Sequence, residues 1–194
     1  MAYEAKDYSK LLGMPGFSDT LLGNHFTLYQ GYVKNTNSVM EHLAAMARDL
    51  KPDAPSAQYA ELKRRMGWEF NGLRLHEYYF GNLGGTAPLS KTGRLAVALA
   101  KQFGSFEAWE TDFRATGAMR GIGWVVLYQD NVSGILFNQW VNEHDVGNWA
   151  GCRLILIMDV FEHAYMVDYG TKKLSYIDAF FKNINWAVAE SRLL

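Results

Sequence analysis

Two long segments whose apolar residues recur every three or four positions, joined by a short link, constrain this 194-residue chain more than any other feature. The first runs from residue 18 to about 48, with Ser18 or Asp19 available as an N-cap after Pro15-Gly16. Its stripe is Leu22, Phe26, Tyr29, Val33, Thr36, Met40 and Leu43, with Thr36 the one clearly polar member. The second runs from 57 to about 82 and repeats Tyr59, Leu62, Met66, Phe70 or Leu73, His76, Phe80 and Leu83. The link Lys51-Pro52-Asp53-Ala54-Pro55 is short, which predicts an antiparallel helical hairpin. Gly84-Gly85, with Pro88 just beyond, closes the pattern.

The grammar then changes. Helices are expected at about 92–104 and at 105–117, the latter opened by Ser105. Residues 122–128 and 132 to about 141 are rich in β-branched and aromatic side chains and flank Gln129-Asp130-Asn131, which predicts a β-hairpin. Residues 153–158 read as a third, more buried strand, followed by a helical stretch from about 160 and a last helix near 174–191. The predicted fold class is α+β: a helical hairpin over 1–88, then a mixed part over 89–194 with a small three-stranded antiparallel sheet.

Composition excludes several function classes. Nineteen basic residues against twenty acidic ones leave a net charge of -1, so no global field draws nucleic acid or an anionic membrane surface. A single cysteine, Cys152, cannot form an intrachain disulfide, and the opening MAYEAKDYSK lacks the basic-then-apolar pattern of a secretory signal; a reducing, cytoplasmic compartment is expected. The longest apolar runs, LILIM and AVALA, fall far short of the roughly 18 residues a membrane span needs.

Five histidines carry most of the chemistry. The densest constellation is Asp159-Val-Phe-Glu-His163-Ala-Tyr165, directly after the third strand, where a carboxylate and an imidazole four residues apart can converge on one ion. The competing reading is an ordinary helix start, with Asp159 as cap and His163 hydrogen-bonded. His76 and His25 each lie on an apolar stripe, where a lone histidine is more often a satisfied core residue than a ligand. Joint occurrence favours ligation: two imidazoles on neighbouring antiparallel helices and a third after a buried aspartate suit iron or manganese, with zinc left open. His42, among alternating charges and alanines, reads as an ordinary solvated residue. Asn142-Glu143-His144-Asp145 is either a plain loop or a group that orients solvent at a metal. No nucleophilic triad or phosphate-binding glycine loop is legible.

With these residues in view, the chain resembles the iron/manganese superoxide dismutases over nearly its whole length, from about residue 17 onward. Asp159-Val-Phe-Glu-His163-Ala-Tyr165 is close to the family's D-x-W-E-H-A-Y signature and continues through Asp168-Tyr169 and Tyr176 to Asn185-Trp186. The segment Leu75-His76 to Leu83 resembles the second-helix ligand segment, Gly121-Ile-Gly-Trp124 resembles G-S-G-W, and Tyr32-Val33 with Asn35 and Asn37 resembles Y-V-x-x-L-N. The resemblance implies His76, Asp159 and His163 as metal ligands, Tyr32 as the active-site tyrosine, superoxide as substrate, one iron or manganese ion per subunit, and a homodimer in which Glu162 reaches the partner subunit.

Several positions depart from the family pattern. Ungapped alignment puts Asn24 where the first-helix ligand belongs, with His25 one residue later. The family's helix carries a π-type bulge there, so loss of one residue would leave a regular helix from which His25 reaches the metal. The second-helix position that supplies a glutamine in some members is Gly72, so the donor beside the metal is expected from the sheet, where Glu143 and His144 stand and His144 is preferred. Gly72 leans toward manganese, while the altered sheet residue leaves iron open. Phe161 replaces the usual tryptophan, and the substrate-gate pair becomes Leu28 and Met166, with Tyr29 expected to fill part of that space. Two other functions compete with dismutation: a non-haem iron oxygenase-like protein using His76, Asp159 and His163 alone, and a structural or interaction protein on the same scaffold.

Overall fold

The computed structural model describes residues 2–49, 51 and 54–194, so Pro52 and Asp53 of the interhelical link lie outside the described residues. Helix α1 spans Asp19–Met46 and α2 spans Ala57–Gly81. Ser18 and Ser56 cap them by accepting the Leu21 and Tyr59 amide protons, which satisfies donors that a helix start leaves free. Contacts pair low-numbered residues of α1 with high-numbered ones of α2: His25 faces His76 and Asn35 faces Glu69. That order makes the hairpin antiparallel. The stripe read from the sequence is shifted near its far end, where Val39 is buried instead of Met40 or Leu43.

Helices α3 (Arg94–Phe103) and α4 (Phe106–Ala118) follow, then strands β1 (Gly123–Asp130), β2 (Leu136–Asn142) and β3 (Cys152–Asp159) in the order β2-β1-β3, all antiparallel. The hairpin turn falls later than the sequence reading put it. Asp130 accepts from the Val132 and Ser133 amides and the Ser133 hydroxyl, and Gly134 takes a left-handed φ of 74°; the chain therefore turns over 131–135, and β1 continues through Gln129 and Asp130. Strand β1 is buried almost throughout because α4 covers one face and β2 and β3 flank its edges.

The expected helix over 174–191 is two helices, α6 (Lys173–Lys182) and α7 (Trp186–Ser191), after a short α5 (Met166–Tyr169). The break at 183–185 has a physical cause. Asn183 turns its amide to the Pro15 and Ala179 carbonyls, the Asn185 amide donates to the Asn82 carbonyl, and the Asn185 side chain caps α7. Asn82 itself, wholly buried, joins α2 to the sheet: its amide donates to the Ile157 carbonyl and its oxygen accepts from the Ile157 amide and Arg192. This stitch holds the end of the ligand-bearing helix α2 against the strand that delivers Asp159.

Replacing Asn82 by alanine leaves the Ile157 amide and carbonyl buried without partners. We expect a loss of about 3 kcal/mol of stability, read as a lower urea midpoint at unchanged slope.

Candidate metal centre

His25 from α1, His76 from α2, Asp159 from the end of β3 and His163 from the 3-10 turn Glu162–Ala164 meet in the interior. Each offers one ligand atom, and these atoms all lie within 4.8 Å of one another. The Nε2 atoms of His25, His163 and His76 stand 3.1, 3.2 and 3.7 Å from the same oxygen, Asp159 Oδ2. His25, His76 and Asp159 are fully buried or nearly so, while the His163 side chain is 24% exposed.

Local structure explains how each group arrives. Helix α1 is an unbroken α-helix from Asp19 to Met46, so no bulge displaces its phase; His25 lies inside the stripe and Asn24 points to solvent. His76 Nδ1 donates to the Gly72 carbonyl at 2.5 Å. That bond leaves Nε2 as a bare lone pair, buried, without a hydrogen-bond partner, and facing a carboxylate oxygen. Two acceptors facing each other in the dry interior repel unless a cation lies between them. The Asp159 carboxylate is aimed by the Phe161 amide, which donates to Oδ1, while Tyr176 donates to the Asp159 carbonyl.

The electrostatics match this donor set. Burial pushes the pKa values of His25 and His76 below that of a free imidazole, so both are neutral and able to ligate. Burial alone would raise the Asp159 carboxyl, yet the adjacent His163 imidazole and hydrogen bonds from His163 and His25 outweigh it and hold the group well below the usual carboxylate range. Three imidazole nitrogens and one carboxylate fit an iron or manganese ion.

Tyr32 and His144 form the next layer. The Trp124 indole donates to His144 Nδ1 at 3.1 Å, and His144 Nε2 lies 2.8 Å from the Tyr32 hydroxyl. An indole N–H can only donate, so neutral His144 carries its proton on Nε2 and donates it to Tyr32. His144 is wholly buried, and that burial lowers its pKa to about 4. Burial first, then the Asp159 charge, raises the Tyr32 phenol to about 12. Gly72 makes this arrangement possible: a Cβ there would come within 2.8 Å of three Tyr32 ring carbons. No side chain can stand on α2 at that position while Tyr32 keeps its place.

The remaining sequence candidates fall elsewhere. The Glu143 carboxylate turns from the cluster and accepts from Trp68 Nε1 at 3.0 Å. Tyr29 is buried, with its hydroxyl on Glu77 and the Lys6 amide, so it does not share the exposed face of Leu28. Met166 is exposed, Phe161 stacks between His144 and His163, and His42 lies exposed on α1. Sequence reasoning missed Trp68, whose ring packs against both Tyr32 and His144. Its spacing of eight residues before His76, on the same helical face, was the available signal. A cavity of about 940 Å³ lined by α3, α4, α6 and α7 residues holds none of these groups.

Residues 91–192 match the family model "Iron/manganese superoxide dismutases, C-terminal domain". The chain belongs to the iron/manganese superoxide dismutase family. It is 37% identical to a superoxide dismutase [Fe] of Aquifex pyrophilus over 97% of its length and 90% of the relative's. It is likewise 37% identical to a superoxide dismutase [Fe] of Cupriavidus metallidurans, over 99% and 96% of the two chains. A superoxide dismutase [Mn] of Haloferax volcanii is 34% identical over 89% and 84%. Family members similar to this chain thus include both iron and manganese proteins.

His144 gives the folded protein a distinct acid response. As pH falls from 6.5 toward 4, the unfolded chain protonates this imidazole while the folded protein excludes the proton, so stability drains away across that window. Urea midpoints measured between pH 7 and 4 should fall less for His144→Gln than for the unmodified chain.

Proposed function

We propose that this chain is a superoxide dismutase whose metal is held by His25, His76, Asp159 and His163, at the junction of a helical domain (1–88) and an α/β domain (89–194). The observation that carries the reading is the approach of three imidazole Nε2 atoms to one buried carboxylate oxygen, with His76 Nε2 otherwise unpartnered. A bound iron or manganese ion supplies one-electron chemistry between its +3 and +2 states, by which one superoxide is oxidised to oxygen and the next is reduced to hydrogen peroxide.

The protein's own part is to hold and place protons. With His144 committed as donor to Tyr32, the phenolic proton of Tyr32 is free to point toward the cluster, and its raised pKa of about 12 keeps it present at neutral pH. His144 acts at one remove, by fixing the Tyr32 oxygen. Buried His25 and His76 stay neutral at neutral pH, as ligands must.

The unit we propose is a homodimer. Glu162, Met166, Val167 and Leu28 are exposed, and the first three flank or follow His163, the one ligand that reaches the surface. The exposure of Glu162, next to His163 in the chain, supports the reading that it meets the ligand histidine of a partner subunit. No described helix is long and apolar enough to cross a membrane, and with one half-exposed cysteine and no disulfide we assign the protein to the cytoplasm.

Metal analysis of the purified chain should find about one iron or manganese per subunit, together with superoxide dismutation in a rapid-mixing assay. His25→Ala should lower metal affinity by more than about tenfold, beyond the effect of losing an orienting partner. Full metal content and full activity in that variant would refute the four-residue ligand set. Bound iron without dismutation in the unmodified chain would refute the function.

A further inference from the structure

His144 can make its two hydrogen bonds only in one ring orientation, with Nδ1 toward Trp124 and Nε2 toward Tyr32. A ring flip would put carbon-bound hydrogens where Nδ1 and Nε2 stand, leaving the indole N–H without an acceptor and the phenol oxygen without its donor. Something must hold the plane, and the two aromatic rings nearest to it besides its hydrogen-bond partners show what does. Phe161 stacks on the imidazole at 4.9 Å and 29°; Trp68 packs against it in a T-shaped contact at 4.7 Å and 67°. Phe161 is fixed by its place in the chain between Asp159 and His163. Trp68 is on the half-exposed side of α2, and three separate interactions immobilise it.

The first is the hydrogen bond from its indole N–H to Glu143 Oε2 at 3.0 Å. The second is Arg65, one helical turn earlier, whose guanidinium lies 3.9 Å from the centre of the indole ring. Arg65 is in turn tied to the buried Glu69 carboxylate at 2.8 Å. The third is Tyr32, whose ring packs against Trp68 at 5.4 Å, so the indole touches both partners of the His144–Tyr32 bond. Glu143 has its own peculiarity: it is the one non-glycine residue at positive φ among the described residues, at 49°, a conformation that L-residues resist. The residue directly before His144 is therefore bent into a disfavoured shape, with its side chain engaged by Trp68.

We propose that Trp68 is a positioning residue for His144: locked to Glu143 and capped by Arg65, its indole forms, together with Phe161, the aromatic wall that keeps His144 donating to Tyr32. This rests on the dismutase reading above and deepens it by naming what sets the proton-bearing group. The clamp spans two elements distant in sequence, α2 and the turn after β2, so it also couples the sheet-side donor to the ligand-bearing helix.

The test uses the full chain loaded with iron, measuring kcat and KM for superoxide, the midpoint potential by titration, and the visible absorption of the bound metal. Trp68→Phe keeps an aromatic face and removes the N–H. Glu143→Gly removes the acceptor in a residue type suited to positive φ. Each should lower kcat roughly tenfold, at the lower end of what orienting partners at metal sites contribute, with KM within about twofold, and both should move the midpoint potential in the same direction. Because the two residues act as one unit, the double variant should be no worse than the stronger single. Glu143→Gln keeps an acceptor oxygen and should recover at least half of the loss. Unchanged potential and kcat in both single variants would overturn the proposal. So would independent, multiplying effects in the double variant, or a lowered Tm with an unmoved potential. Failure of the unmodified chain to bind metal would instead strike the dismutase reading, before any variant is compared.

Discussion

Asp159 Oδ2 is the point toward which the structure is organised. Three imidazole nitrogens approach one carboxylate oxygen in a place from which water is almost wholly removed, and at least one of them, His76 Nε2, presents a lone pair to it. Desolvating such a set is costly unless a cation completes it. The groups come from α1, α2, the end of β3 and the turn beyond it, so the cost can be met only when all four elements are docked. Asn82 between α2 and β3, and Tyr176 on the Asp159 carbonyl, tie those elements together by buried hydrogen bonds that carry no role in the chemistry.

The layer outside this cluster is a chain of obligations set by which atoms can donate. Trp124 can only donate, so His144 must accept at Nδ1 and give at Nε2, so Tyr32 must accept there and is left with its own proton to place. A glutamine offers two N–H donors and an acceptor; a neutral imidazole offers one of each. With histidine at this position, the sheet-side group is used up on Trp124 and Tyr32. Gly72 belongs to the same logic, since the space a side chain would take on α2 is occupied by the Tyr32 ring.

Much of this was legible from residue types and spacing. Helical periodicity placed α1 and α2 within two residues of their observed ends, because apolar stripes on antiparallel helices must face each other to be buried. The Asp159 to Tyr165 segment and His76 marked the cluster, since few other arrangements put a carboxylate and imidazoles on inner faces. The start of β2, the break between α6 and α7, and the roles of Glu143, Tyr29 and Trp68 were not legible. Asp130 and Asn183 act through their own side chains on nearby backbone, which overrides the pattern of apolar residues around them.

The sequence by itself determined the order of elements, the family, and the residue types able to bind a redox metal, because periodicity and a dense local signature are properties of adjacent positions. Only the tertiary structure decided the phase of His25 against Asn24, the single proton that His144 can give, and the indole that keeps it in place. Those depend on which lone pairs and N–H groups meet across elements more than a hundred residues apart in the case of Tyr32 and His144. A hydrogen bond is directional over a few tenths of an ångström, and no spacing along one chain encodes it.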